Sequence, residues 1–106
     1  MKSVDIVVPV YYGNLGELGP NIAQQVDFFR KNLNDYNWKI VIAINGKNAD
    51  EIINLAKELS EKYKEVSYIY TEIAGKGAGV ITGWEKSNAD ILTYMDVDLS
   101  IMLDGF

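Results

Sequence analysis

Apolar residues along the chain fall alternately into short unbroken runs and into stripes spaced three or four residues apart. VDIVVPV at 4–10 is a run with little polar alternation, as expected of a strand covered on both faces, and WKIVIAI at 38–44, VSYIYT at 66–71 and ADILTYM at 89–95 read as three further strands. After the glycine- and asparagine-rich YYGNLGELG, which reads as a loop, Pro20 is placed to open a helix whose Ile22, Val26, Phe29 and Leu33 share a face. The turn pair Asn45-Gly46 closes the second run. Asn48 with Glu51 three residues later resembles a capping signal, and Ile52, Leu55, Leu59 and Tyr63 then form the stripe of a second helix. In GKGAGVITGWEKSN (75–88), Ala78, Ile81 and Trp84 mark one face of a third helix, against which its glycines count.

Strand and helix alternate in connections too long for hairpins, which predicts an α/β fold: a Rossmann-like three-layer half with a parallel sheet of about four strands and three helices, in one domain over residues 1–106. Such sheets bind ligands at the carboxyl ends of the strands, where strand order reverses. That rule gathers Pro9 to Tyr11, Asn45-Gly46, Gly75 to Gly77 and Asp96 to Asp98 at one rim.

Charge and composition narrow the chemistry. The net charge of −5, from 10 basic against 15 acidic residues without a Lys/Arg cluster, speaks against nucleic acid. No apolar run is long enough to cross a bilayer, and MKSVDIVVPV passes straight into a strand pattern, so a cytoplasmic location is expected. With neither cysteine nor histidine, disulfides, thiolate sites and imidazole ligands are excluded. A metal would be held by oxygen, which favours Mg²⁺ or Mn²⁺.

The fourth run ends on Asp96 and Asp98. In an extended chain these carboxylates share a side, about 6.5 Å apart at their Cα atoms, and repel unless a cation lies between them. A hard divalent ion would keep both ionised and complete its shell with water and substrate phosphate, with Lys76 as further cationic help. The plain alternative is a solvated turn after a strand. GKG likewise is either a flexible loop or a place where Gly75 and Gly77 let backbone approach a phosphate. Tyr11 and Tyr12 are loop anchors or rings that stack on a base, and Trp84 is most simply a core residue. The dinucleotide fingerprint and the P-loop both fail on glycine spacing.

Taken together, VDIVVPVYYGN, INGKNADE and GKGAGVITGWEKSNADILTYMDVDLS resemble the start of the family 2 glycosyltransferases with the GT-A fold, nearest to the polyprenyl- and dolichol-phosphate mannose or glucose synthases. The resemblance implies inverting transfer of a hexose from a GDP- or UDP-sugar to a lipid phosphate. It places Pro9, Val10 and Tyr11 in the base and ribose pocket, Lys76 near the diphosphate, Asp96 on the ribose or metal, and Asp98 on the metal. Two departures accompany it. Tyr12, Gly13 and Asn14 stand where the family has asparagine and an acid after the tyrosine, and Ile44 and Asn45 replace its usual acidic pair, leaving Asn45 as the candidate base contact. The resemblance also implies an acceptor-binding half beyond Phe106 that carries the catalytic residues, none being identified within 1–106, and that works at the cytoplasmic face of a membrane. Ile101, Met102, Leu103 and Phe106 would then be uncovered apolar surface prone to self-association. Two rivals stand beside this reading: a phosphohydrolase or phosphotransferase with Asp96 of MDVDLS as nucleophile, and a non-catalytic folded fragment.

Overall fold

The computed structural model describes residues 2–71, 84 and 87–95. Four strands, β1 (Ser3–Val10), β2 (Asn37–Asn45), β3 (Val66–Thr71) and β4 (Ile91–Tyr94), form one sheet in the order β3-β2-β1-β4. Every pairing is parallel. Helix α1 (Leu15–Asn32), entered through a 3₁₀ turn at Tyr12–Asn14, links β1 to β2, and α2 (Asp50–Lys62) links β2 to β3. The expected α/β half with a parallel sheet is therefore present. The third helix expected over 75–88 lies outside the described residues apart from Trp84, Ser87 and Asn88, and so do Ile101, Met102, Leu103 and Phe106.

Right-handed crossovers explain which face each connection covers. β1 to β2 and β2 to β3 step in one direction across the sheet, so both helices lie on one face. There Val4, Ile6, Val8 and Val10 of β1 and Ile40, Ile42 and Ile44 of β2 meet Leu18, Ile22, Val26 and Phe29 of α1 and Ile52, Ala56 and Leu59 of α2. The step from β3 to β4 runs the other way. Trp84, in that connection, packs on the opposite face against the cluster of Val7, Val41 and Ala43, as Ile69 does, while its indole N–H donates to the carbonyl of Thr93 at 3.3 Å.

Two sequence expectations are corrected. Helix α1 begins at Leu15, not Pro20, because its apolar stripe starts at Leu15 and the fully buried Leu18. Pro20 thus sits inside the helix, where it has no N–H for the carbonyl of Gly16; both residues are exposed, which leaves that carbonyl facing water. The residue before α2 is Ala49, and Asn48 makes no cap. Asn48 instead adopts φ 58° next to Gly46 at φ 88°, two left-handed residues in one short loop, a conformation glycine and asparagine tolerate.

Polar groups pin β4 at its amino end. The Ser3 N–H and hydroxyl both donate to Asp90 Oδ2, at 2.9 and 3.2 Å, and the Asp90 N–H donates to Ser3 Oγ at 3.0 Å. These bonds, the Ser3 amide first, hold the Asp90 carboxyl below the usual range. Buried Asp5 accepts from the Ser87 hydroxyl and lies 3.8 Å from Lys39 Nζ. Beyond these contacts β4 is an edge among the described residues, with Ile91, Leu92 and Tyr94 39, 41 and 51 % exposed.

Candidate functional site

Strand order reverses between β1 and β4, since one crossover leaves β1 for β2 and another arrives at β4 from the far side. The carboxyl ends of these two strands flank the crevice where α/β sheets take ligands. Pro9 helps to open it. The Met95 N–H donates to the Val7 carbonyl at 3.0 Å, so Val7 faces β4, and by the alternation of a parallel ladder Pro9 is the next residue to do so. Proline has no N–H to offer, and the ladder toward β4 loses its β1 donor just where a ligand would sit.

Pro9 is buried and pairs with Ala43. Val10 is 1 % exposed and its side chain belongs to the core under the helices, so it can present only backbone to a ligand. Tyr11 leaves the sheet half-exposed, with Tyr12 beside it in an edge-on ring pair at 5.6 Å between centroids. Both rings are exposed, Tyr11 at 50 % and Tyr12 at 57 %. The Tyr11 N–H donates to Asn14 Oδ1 at 3.0 Å, and the Asn14 N–H donates back to the Tyr11 carbonyl at 2.9 Å, bracing the turn reciprocally. Gly13 lies against the Tyr11 ring so closely that a Cβ there would fall 2.5 Å from Cε2. Sequence reading missed Asn14 and Gly13; the signal was an asparagine three residues after the strand-end tyrosine.

Asn45, at the end of β2, is buried and its carboxamide Nδ2 donates to the Val10 carbonyl at 2.9 Å. The next residue is tied to β3: the Gly46 N–H donates to Thr71 O at 3.2 Å, and the Tyr70 hydroxyl donates to the Gly46 carbonyl at 2.9 Å. Three strand ends are thereby joined at one rim. Lys76, Asp96 and Asp98 lie outside the described residues; β4 brings the chain to this rim at Met95, the residue before Asp96. Among the described residues no cluster of three metal-ligating side chains occurs.

Electrostatics at this rim argue against phosphate binding by the described helix starts. Asp50 and Glu51 occupy the first turn of α2 and Glu17 that of α1, where they already complement the helix dipoles. Lys47 is the cation of the β2–α2 loop.

A depression of about 740 Å³ lies at the opposite, amino ends of the strands, between Ser3, Asp5, Trp38, Lys39 and Glu65. Two ion pairs line it, Lys39 with Asp5 and Arg30 with Glu65, and Lys64 lies beside them. Arg30 donates to both oxygens of Glu65, at 2.9 and 2.8 Å, and these bonds push the Glu65 carboxyl below its usual range and the guanidinium up. The depression lies far in the strand direction from Tyr11 and Asn45.

Fold and rim together define an α/β protein with a Rossmann-like parallel sheet whose switch-point rim bears the exposed rings of Tyr11 and Tyr12. The chain belongs to the family described as glycosyl transferase family 2, whose model matches residues 5–105. It is also similar to undecaprenyl-phosphate 4-deoxy-4-formamido-L-arabinose transferase of Pseudomonas savastanoi pv. phaseolicola (strain 1448A / Race 6), 31% identical over 101 residues. That match covers 93% of this chain and 29% of the relative, so the chain spans under a third of the length of the curated relative it matches. Family membership displaces the phosphohydrolase alternative.

Proposed function

We propose that the chain is the donor-binding part of a glycosyltransferase that takes a nucleoside-diphosphate hexose, with GDP or UDP as the carrier, and serves inverting transfer to a polyprenyl phosphate at the cytoplasmic face of a membrane. The observation that supports the donor site is the delivery of β4 to the switch point, where Met95, the residue before Asp96 in sequence, is hydrogen-bonded to Val7 at the rim that also holds Tyr11 and Asn45. The acidic rim described above supplies the need for a counter-cation. Two carboxylates in a chain without cysteine or histidine suit a hard ion, so Asp98, with Asp96, would hold Mg²⁺ or Mn²⁺, and Lys76 would approach the diphosphate. When bound, the ion offsets the negative charge that grows on the departing nucleoside diphosphate. Backbone at Pro9 and Val10 and the ring of Tyr11 would receive the base and ribose. The polyprenyl phosphate in the relative's name supports this acceptor class.

Calorimetry of GDP and UDP with and without Mn²⁺ tests the reading. Metal is expected to tighten binding at least tenfold, and Asp98→Ala to abolish that gain while leaving the metal-free affinity unchanged. Nucleotide binding indifferent to metal in both proteins would refute the assignment.

A further inference from the structure

The turn that carries Tyr11 is closed by two reciprocal bonds between Tyr11 and Asn14, and it is held at both ends: at α1, where Asn14 Nδ2 donates to Glu17 Oε2 at 3.4 Å, and at β1, where it leaves Val10. The Val10 end governs the half of the turn that bears the Tyr11 ring. The regular pairing of β1 with β2 stops at Val10↔Ile44, and the side chain of Asn45 adds one bond beyond it, from Nδ2 to the Val10 carbonyl at 2.9 Å. Asn45 itself stands on a fixed base, because Gly46 is bonded to β3 through Thr71 and Tyr70. A continuous chain of bonds thus runs from β3 through Gly46 and Asn45 to Val10 and the aromatic turn.

We propose that Asn45 is a positioning residue of the donor site: its buried carboxamide, by donating to the Val10 carbonyl, sets the turn from Tyr11 to Asn14 and the ring of Tyr11, in place of reading the nucleobase itself. This rests on the donor-site reading above and deepens it. The chemistry separates the two roles. The Val10 carbonyl accepts only, so position 45 must offer a donor; an ionised carboxylate would set acceptor against acceptor. A group that reads a base through the base's own N–H must instead accept, and a carboxylate does that better than an amide.

Asn45→Asp therefore gives opposite results for the two roles. GDP and UDP affinities with Mn²⁺ are measured from pH 5 to pH 8, each relative to wild type at the same pH. Burial raises the introduced carboxyl, so that its protonated form donates an O–H to Val10 at pH 5. There the variant is expected to approach wild-type affinity, and at pH 8 to fall roughly tenfold below it. Amide hydrogen exchange supplies a readout without nucleotide: in Asn45→Ala the amides of Tyr11 to Asn14 should exchange several-fold faster, while those of Ile6 and Phe29 hold. Equal or tighter binding by Asn45→Asp at pH 8, or unchanged exchange in the turn, overturns the proposal. Wild-type protein that binds neither nucleotide while the turn amides respond would sink the donor reading and leave the brace standing.

Discussion

Replacing Gln25 by methionine is expected to make the protein more stable. Gln25 lies in the buried stripe of α1 with Leu18, Ile22, Val26 and Phe29 and is fully buried, and among the described residues neither its Nε2 nor its Oε1 has a hydrogen-bond partner. Burying a carboxamide without partners costs about 1–3 kcal/mol on the scale of protein mutations. Methionine has similar length, comparable rotamer freedom and nearly the same helix propensity, so the other terms largely cancel. The expected gain is about 1–3 kcal/mol, or a rise in Tm of roughly 4–12 °C for a domain near this size. Urea denaturation checks it: the midpoint should rise with an unchanged slope, which keeps the effect in stability and out of the denatured ensemble. Gln25→Glu serves as the control. Its buried carboxyl has a raised folded pKa, so stability should fall as pH rises above the unfolded value of about 4.3. Destabilisation by Gln25→Met, with Gln25→Leu behaving alike, would refute the reasoning, because it would mean that the carboxamide is satisfied in solution, for instance by an enclosed water.

Two further outcomes concern the ends of the sheet. Since Arg30 holds the Glu65 carboxyl below 4.5, the pair stabilises the fold above the unfolded carboxyl pKa, and that contribution disappears as pH falls through the folded value; the difference between wild type and Glu65→Gln in urea midpoint at pH 7 should accordingly shrink toward zero in acid. Gly13→Ala would place a methyl 2.5 Å from the Tyr11 ring, but that ring is half-exposed and can swing away, so stability should change by less than about 1 kcal/mol while nucleotide affinity drops several-fold, as denaturation and calorimetry would show.

β1 and β2 were legible because their runs are apolar on both faces. Val7, Val41 and Ala43 are as buried beneath Trp84 as Ile6 and Ile42 are beneath the helices, and that condition writes an unbroken hydrophobic run into a sequence. The start of α1 was not legible, because Gly16, Gly19 and Pro20 are local helix breakers while Leu15 and Leu18 make their contribution only through the core they reach. Gln25 was hidden for a related reason: periodicity shows which positions face inward, not that one of them is polar. At the rim, Asn45-Gly46 was readable as a turn from its composition, and Gly46 does take positive φ. That the Asn45 side chain reaches Val10, 35 residues away in sequence, depends on register, which composition does not carry. The same holds for Asp5 and Ser87, 82 residues apart.

The place of β1 inside the sheet also has a consequence for how the chain is made. On the side of β2 it finds its neighbour early, but its other flank is satisfied only by β4, with Val4 opposite Ile91. At ordinary rates of translation that flank, rich in valine and isoleucine, stays unpaired for roughly 4–16 s after it leaves the ribosome. The nascent protein is therefore exposed to strand addition by other chains during that interval, and the proline near its end shortens the stretch of backbone such an intruder could zip onto.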